Sequence, residues 1–154
     1  MSALFFASAI YAENSIIAIV DKEPITLNEL ALFSEKSSTK GEKLEIINLI
    51  INSKIEGKKI QEFNINPDKR LINSQLSIIA DKNNISLTDL INSKNFGELL
   101  SKIKYQLSKE TLINLVYQDT LKNKPAIDDK LIIYKEWFDK VKANTFIEIY
   151  EDKL

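Results

Sequence analysis

The sequence predicts a mainly helical protein with a small three-stranded β-sheet formed by its N- and C-terminal segments. Two β-like stretches carry that reading. Ser15-Ile16-Ile17-Ala18-Ile19-Val20 is an apolar run that leads through a turn-like Asp21-Lys22-Glu23-Pro24 to Ile25-Thr26. At the other end, Thr145-Phe146-Ile147-Glu148-Ile149-Tyr150 alternates as a half-buried strand does. A lone hairpin is marginal in water, so pairing the last strand with the first two, closing a ring of helices, is the economical solution.

The segments between read as helices. Thr26-Leu27-Asn28-Glu29 is a capping box that opens a short helix to about Lys36, with Leu27, Leu30 and Phe33 near one face. Ser37-Ser38-Thr39-Lys40-Gly41 reads as loop. A long helix follows from Glu42 to about Phe63, its apolar positions being Leu44, Ile47, Ile50 or Ile51, and Ile55, then Ile60 and Phe63. Gly57 inside it costs about 1 kcal/mol relative to Ala and suggests a close helix contact. Asn66 is the expected cap and Pro67 the expected first residue of a third helix, which carries Leu71, Ile72, Leu76, Ile78 and Ile79 and ends near Lys82. Asn83-Asn84-Ile85 is a tight connection, because Asn tolerates left-handed geometry.

Ser86-Leu87-Thr88-Asp89 starts another short helix, with Leu87, Leu90 and Ile91. Phe96-Gly97 leads into a second long helix to about Lys122, whose seam is read as Leu99, Leu100, Ile103, Leu107, Ile113 and Val116. Lys122-Asn123-Lys124-Pro125 stops it. Asp128 is expected to cap a final helix carrying Leu131, Ile132, Tyr134, Trp137, Phe138 and Val141.

The 154 residues are enough for one domain with a real core. Lys+Arg 21 against Asp+Glu 22 leaves a net charge of -1, so no basic field exists to condense on phosphates and nucleic acid is not an expected partner. Histidine and cysteine are both absent, which removes the usual zinc sites, Cys-His and Ser-His-Asp catalysis and thiol redox chemistry. No cofactor is expected. Asp128-Asp129 reads as helix-terminal charge rather than a metal pair. Ala3-Leu4-Phe5-Phe6-Ala7-Ser8-Ala9-Ile10 has the length of a signal h-region and ends in Ile10-Tyr11-Ala12, although Met1-Ser2 supplies no basic n-region. It is shorter than the ~20 apolar residues of a membrane span. Residues 1–12 are thus read as a signal peptide, truncated at its start, and 13–154 as a single exported domain.

Four blocks in order resemble the core domain of the SurA-type periplasmic chaperones. Ile16-Ile17-Ala18-Ile19-Val20-Asp21-Lys22-Glu23-Pro24-Ile25-Thr26-Leu27-Asn28-Glu29-Leu30 is similar to the family's opening of strand, turn, strand and capped helix. Ile79-Ala80-Asp81-Lys82-Asn83-Asn84-Ile85-Ser86-Leu87-Thr88-Asp89-Leu90 resembles its helix–Asn-Asn–helix corner, and Ile103 to Ile113 the long helix beyond. Trp137 to Ile149 looks like the C-terminal helix and closing strand. Typical relatives insert parvulin-type prolyl isomerase domains before the C-terminal helix. Here only Pro125-Ala126-Ile127 separates Lys124 from Asp128, too little for a domain of roughly 100 residues. Parvulin sites characteristically use histidines, and the chain has none.

The resemblance implies an ATP-independent periplasmic chaperone without isomerase activity. Its expected partners are unfolded polypeptides, outer-membrane protein precursors above all, with a homodimer as a further candidate. Most aromatics are expected in the core. Phe63, Phe96, Tyr105 and Trp137 are the candidate peptide-binding residues of an apolar groove. The alternative is an exported helical scaffold that docks one folded partner through a defined patch. A prolyl isomerase is the third reading.

Overall fold

A computed structural model describes residues 15–35, 38–123 and 129–154. The expected signal peptide, the Pro125-Ala126-Ile127 junction and the Asp128 cap lie outside them. The order of elements is β1 (Ile16–Val20), β2 (Glu23–Thr26), α1 (Leu27–Ala31), α2 (Lys40–Glu62), α3 (Lys69–Lys82), α4 (Leu87–Ile91), α5 (Phe96–Asn123), α6 (Lys130–Ala143) and β3 (Ile147–Ile149), followed by a 3-10 turn at Glu151–Lys153. The protein is mainly α with a three-stranded antiparallel sheet in the order β2-β1-β3, so its two ends do share a sheet. The described residues fall into two compact units, one within Met1–Ile55 and Asp139–Leu154 and one within Glu56–Phe138.

The first unit holds the sheet. β1 is central, with Ala18 opposite both Ile25 on β2 and Ile149 on β3. Ile17 and Ala18 are both fully buried, whereas a regular strand would alternate faces. A register shift between Ile16 and Ala18 accounts for this, since a bulge lets adjacent residues depart from alternation. The turn is tighter than expected: Glu23 and Pro24 already belong to β2, leaving Asp21-Lys22 as the connection, with Asp21 at φ 54°. Pro24 is tolerated because β2 is an edge strand. The Asp21 N–H donates to the Phe146 carbonyl at 2.8 Å, and the Phe146 N–H donates to the Asp21 carboxylate at 3.2 Å. These bonds join the hairpin turn to the entry of β3, which is three residues long rather than the six read from the sequence.

Thr26 caps α1 as expected, accepting from the Glu29 N–H at 3.3 Å. The helix ends at Ala31, before the expected Lys36. The last turn tightens there: the Phe33 N–H donates to the Leu30 carbonyl three residues back at 3.0 Å, and the Ser34 N–H and hydroxyl donate to the same carbonyl at 3.0 Å. The supposed loop before α2 contains a full capping box. Thr39 Oγ1 accepts from the Glu42 N–H at 3.3 Å, and the Glu42 carboxylate accepts from the Thr39 N–H at 2.6 Å, which holds the Glu42 pKa below its ordinary value. Ile47, Ile50, Ile51 and Ile55 form the buried stripe of α2 in this unit. Near the C-terminal end, the Lys142 ammonium of α6 donates to Asn52 Oδ1 on α2 at 2.8 Å.

In the second unit, α3, α4 and α5 share a core of Ile72, Leu76, Ala80, Leu90, Ile103 and Leu107. Asp68, not Asn66, caps α3, accepting from the Arg70 N–H at 2.8 Å. Asp68 is the nearer candidate to the first helical turn, and Pro67 stands outside the helix. Ser86 caps α4 through the Asp89 N–H at 3.0 Å, and Asn84 adopts φ 54°, both as the sequence suggested. Further along α5, Leu112 is fully buried where the sequence reading placed Ile113, which is only half-buried. Asp129 accepts from the N–H groups of Leu131 and Ile132 at 2.9 and 3.1 Å and serves as the N-terminal cap of α6. Leu131 and Ile132 face solvent, while Ile133, Tyr134 and Phe138 are buried.

Candidate functional site

The first unit opens an apolar groove between α1 and α2. Glu29 and Phe33 line it from the α1 side, and Ile46, Leu49, Ile50, Ser53 and Lys54 line it from α2. The α2 residues recur at spacings of three and four, so they form one stripe, and this stripe runs beside the buried Ile47–Ile51–Ile55 row. The cavity measures about 500 Å³, within the range of ligand pockets. Its walls expose large apolar side chains: Phe33 is 66% accessible and Leu49 67%. The adjacent Leu32 is 79% accessible. Two large apolar residues exposed on the walls of one groove are more than the scattered exposure every protein shows.

One end of the groove is charged. The Lys54 ammonium lies 3.2 Å from a Glu29 carboxylate oxygen and 3.9 Å from one of Glu23. Glu29 is therefore turned away from the reciprocal capping bond expected for it and toward α2. The Thr26 cap keeps its other half. Phe33 was expected near the buried face of a longer α1. Termination at Ala31 removes it from that helix and leaves its ring at the groove.

A second constellation lies in the other unit. Glu56 of α2 is 5% accessible, yet carries a carboxylate. Tyr105 of α5 donates its hydroxyl to Oε2, Tyr134 of α6 donates to Oε1 at 3.0 Å, and the Lys109 ammonium approaches Oε1 at 2.9 Å. Burial, reinforced by the neighbouring Glu56 charge, pushes the Tyr134 pKa upward from its ordinary value. The cluster ties α2, α5 and α6 of this unit together, and its carboxylate is engaged by protein donors on both oxygens.

The four aromatics singled out from sequence all belong to the second unit. Tyr105 is bound to Glu56, and the Trp137 ring lies 5.6 Å from that of Tyr134, so both converge on the Glu56 cluster. Phe96 packs against the α3–α4–α5 core. Phe63 follows the end of α2 and is half exposed. None of the four lines the α1–α2 groove. Its residues were missed because Leu49 and Ile46 fall just off the strongest apolar stripe of α2, although Leu49 beside Ile50 and Ile51 gave a legible hint of a second apolar face.

Among the described residues, no helix is long and apolar enough to cross a membrane, and no three His, Cys, Asp or Glu side chains gather as ion ligands would. No family model matches the chain, and no curated protein matches it.

Proposed function

We propose that this protein is a small ATP-independent, chaperone-like binder of unfolded polypeptides, exported to the periplasm and without isomerase chemistry. The open α1–α2 groove, with Phe33 and Leu49 two-thirds exposed, is the observation that carries the reading. Apolar segments of an unfolded chain would bury those side chains without sequence-specific polar contacts, and each partial burial is worth about 1–2 kcal/mol, less than the full burial of a Leu or Phe. A few such contacts give weak, rapidly reversible binding, which suits a carrier that must release its cargo. The fold lends support too: a strand–turn–strand opening joined by a C-terminal closing strand is the arrangement implied by the resemblance to SurA-type chaperones.

The test is suppression of aggregation of several unrelated unfolded outer-membrane proteins, wild type against Phe33→Ser/Leu49→Ser. Both side chains are mainly exposed, so the double variant should retain stability to within about 0.5 kcal/mol per site. Protection should fall at least tenfold in the concentration required, and for every client alike. Full protection by a stably folded double variant overturns the groove as the binding site. Loss of one folded partner, with general protection absent in the wild type, favours the scaffold.

A further inference from the structure

We propose that the α1–α2 groove prefers apolar segments carrying a lysine or arginine beside their apolar anchors. This deepens, and rests on, the reading of the groove as a polypeptide site. At the charged end Glu29 and Lys54 line the groove, and Glu23, outside the lining, has a carboxylate oxygen 3.9 Å from the Lys54 ammonium. These three groups together carry one negative charge more than positive. The two carboxylates are not equivalent. Glu29 holds Lys54 at 3.2 Å and is 31% accessible, whereas Glu23 is 67% accessible and meets Lys54 only at 3.9 Å, the outer limit of an ion pair. Glu23 is the group with capacity for a second cation.

The occupant chemistry follows from that imbalance. A lysine or arginine lays an aliphatic stem along apolar surface while its charged head stays in water, so one side chain can rest on the apolar wall with its head drawn toward the carboxylates around Lys54. An acidic residue in the same place meets two carboxylates and a Lys54 ammonium that both already engage. Like charges placed together discriminate against the wrong partner as effectively as attraction favours the right one.

The experiment is fluorescence anisotropy with three labelled peptides that share one apolar core and are flanked by lysine, glutamine or glutamate. The lysine peptide should bind about 2- to 10-fold more tightly than the glutamate peptide, the range expected of exposed charge pairs, and the gap should shrink with added salt. Glu23→Gln should narrow the gap and Lys54→Gln should widen it, opposite responses that a general loss of structure does not give. Equal affinity for the three peptides, with binding still lost in Leu49→Ser, overturns this preference and leaves the groove as a polypeptide site. Failure of all three to bind overturns the groove reading itself, and the preference with it. Sedimentation that reveals a dimer dissociated by Leu49→Ser also overturns the proposal, because a second copy is then the occupant.

Discussion

Lys54 and Glu56 stand two residues apart in α2 and carry inverse arrangements of charge. Lys54 is one cation between two carboxylates, at the charged end of an open groove. Glu56 is one carboxylate among a cation and two phenols, and only 5% of it is accessible. The contrast shows how burial decides what a charge can do. A buried carboxylate persists only when its oxygens are satisfied, and satisfaction removes it from ligand chemistry. A charge in contact with water needs no such completeness, so imbalance survives there and becomes available for recognition. The cluster with the better geometry is thus the structural one, and the looser one is the candidate for binding.

The largest expected effect breaks the buried side of this comparison. Glu56→Ala leaves the Tyr105 and Tyr134 hydroxyls and the Lys109 ammonium without their shared acceptor, and should destabilise by about 3–5 kcal/mol. Lys109 is 39% exposed and can be rehydrated, which places the loss toward the lower end. Glu56→Gln keeps the shape and one acceptor oxygen and should lose less, about 1.5–3 kcal/mol. Urea unfolding with an unchanged slope checks both. An alanine variant as stable as wild type would mean that Glu56 is not holding these helices.

Next in size is Tyr134→Phe, which removes one of the three donors to Glu56 and should cost about 1–2 kcal/mol near neutrality. The alkaline range sharpens the test. Burial, then the Glu56 charge, raises the folded pKa of Tyr134 above its unfolded value of 10.0. The folded state therefore keeps a proton that the unfolded state gives up as pH rises past 10.0, so this stabilisation is complete below that value and is lost progressively above it. Wild type should lose stability steadily as pH climbs beyond 10.0, with the Tyr134 phenolate appearing only on unfolding. Tyr134→Phe should flatten that alkaline decline. An unchanged decline in the variant places its origin elsewhere.

Legibility from sequence divides along the same line. Periodicity located the helices because the core residues Ile47, Ile51 and Ile55, or Ile72, Leu76 and Ala80, repeat at helical spacing. Pairing of the two chain ends followed from β-like patterning alone. Boundaries fared worse where short polar side chains compete for the same orphan N–H groups. Asn66 was read as the cap while Asp68, two residues on, takes that place, and Thr39 was hidden in a stretch whose composition reads as loop. Glu56 could not be found, since its partners lie 49 and 78 residues away and only the fold brings them together. Phe33 was misplaced for a local reason: α1 ends at Ala31 in a tightened turn, where the Phe33 N–H bonds the Leu30 carbonyl three residues back, before the apolar face of the helix reaches that ring.

The smallest effect on stability is expected at the exposed side of the comparison. Lys54→Gln breaks two ion pairs at once, yet both reach solvent, and Glu23 at 3.9 Å is held weakly. Pairs that reach solvent contribute about 0–1 kcal/mol and are screened by salt, so although Lys54 is only 23% accessible the variant should unfold within about 1 kcal/mol of wild type, and closer still at high ionic strength. A double-mutant cycle with Glu29→Gln isolates the stronger pair, which spans α1 and α2 and should show a coupling below about 1 kcal/mol. A coupling of several kcal/mol would move Lys54–Glu29 into the class of Glu56 and make it a structural clamp. The groove end would then be rigid and its charge committed, and the imbalance that distinguishes it from the buried cluster would rest on Glu23 alone.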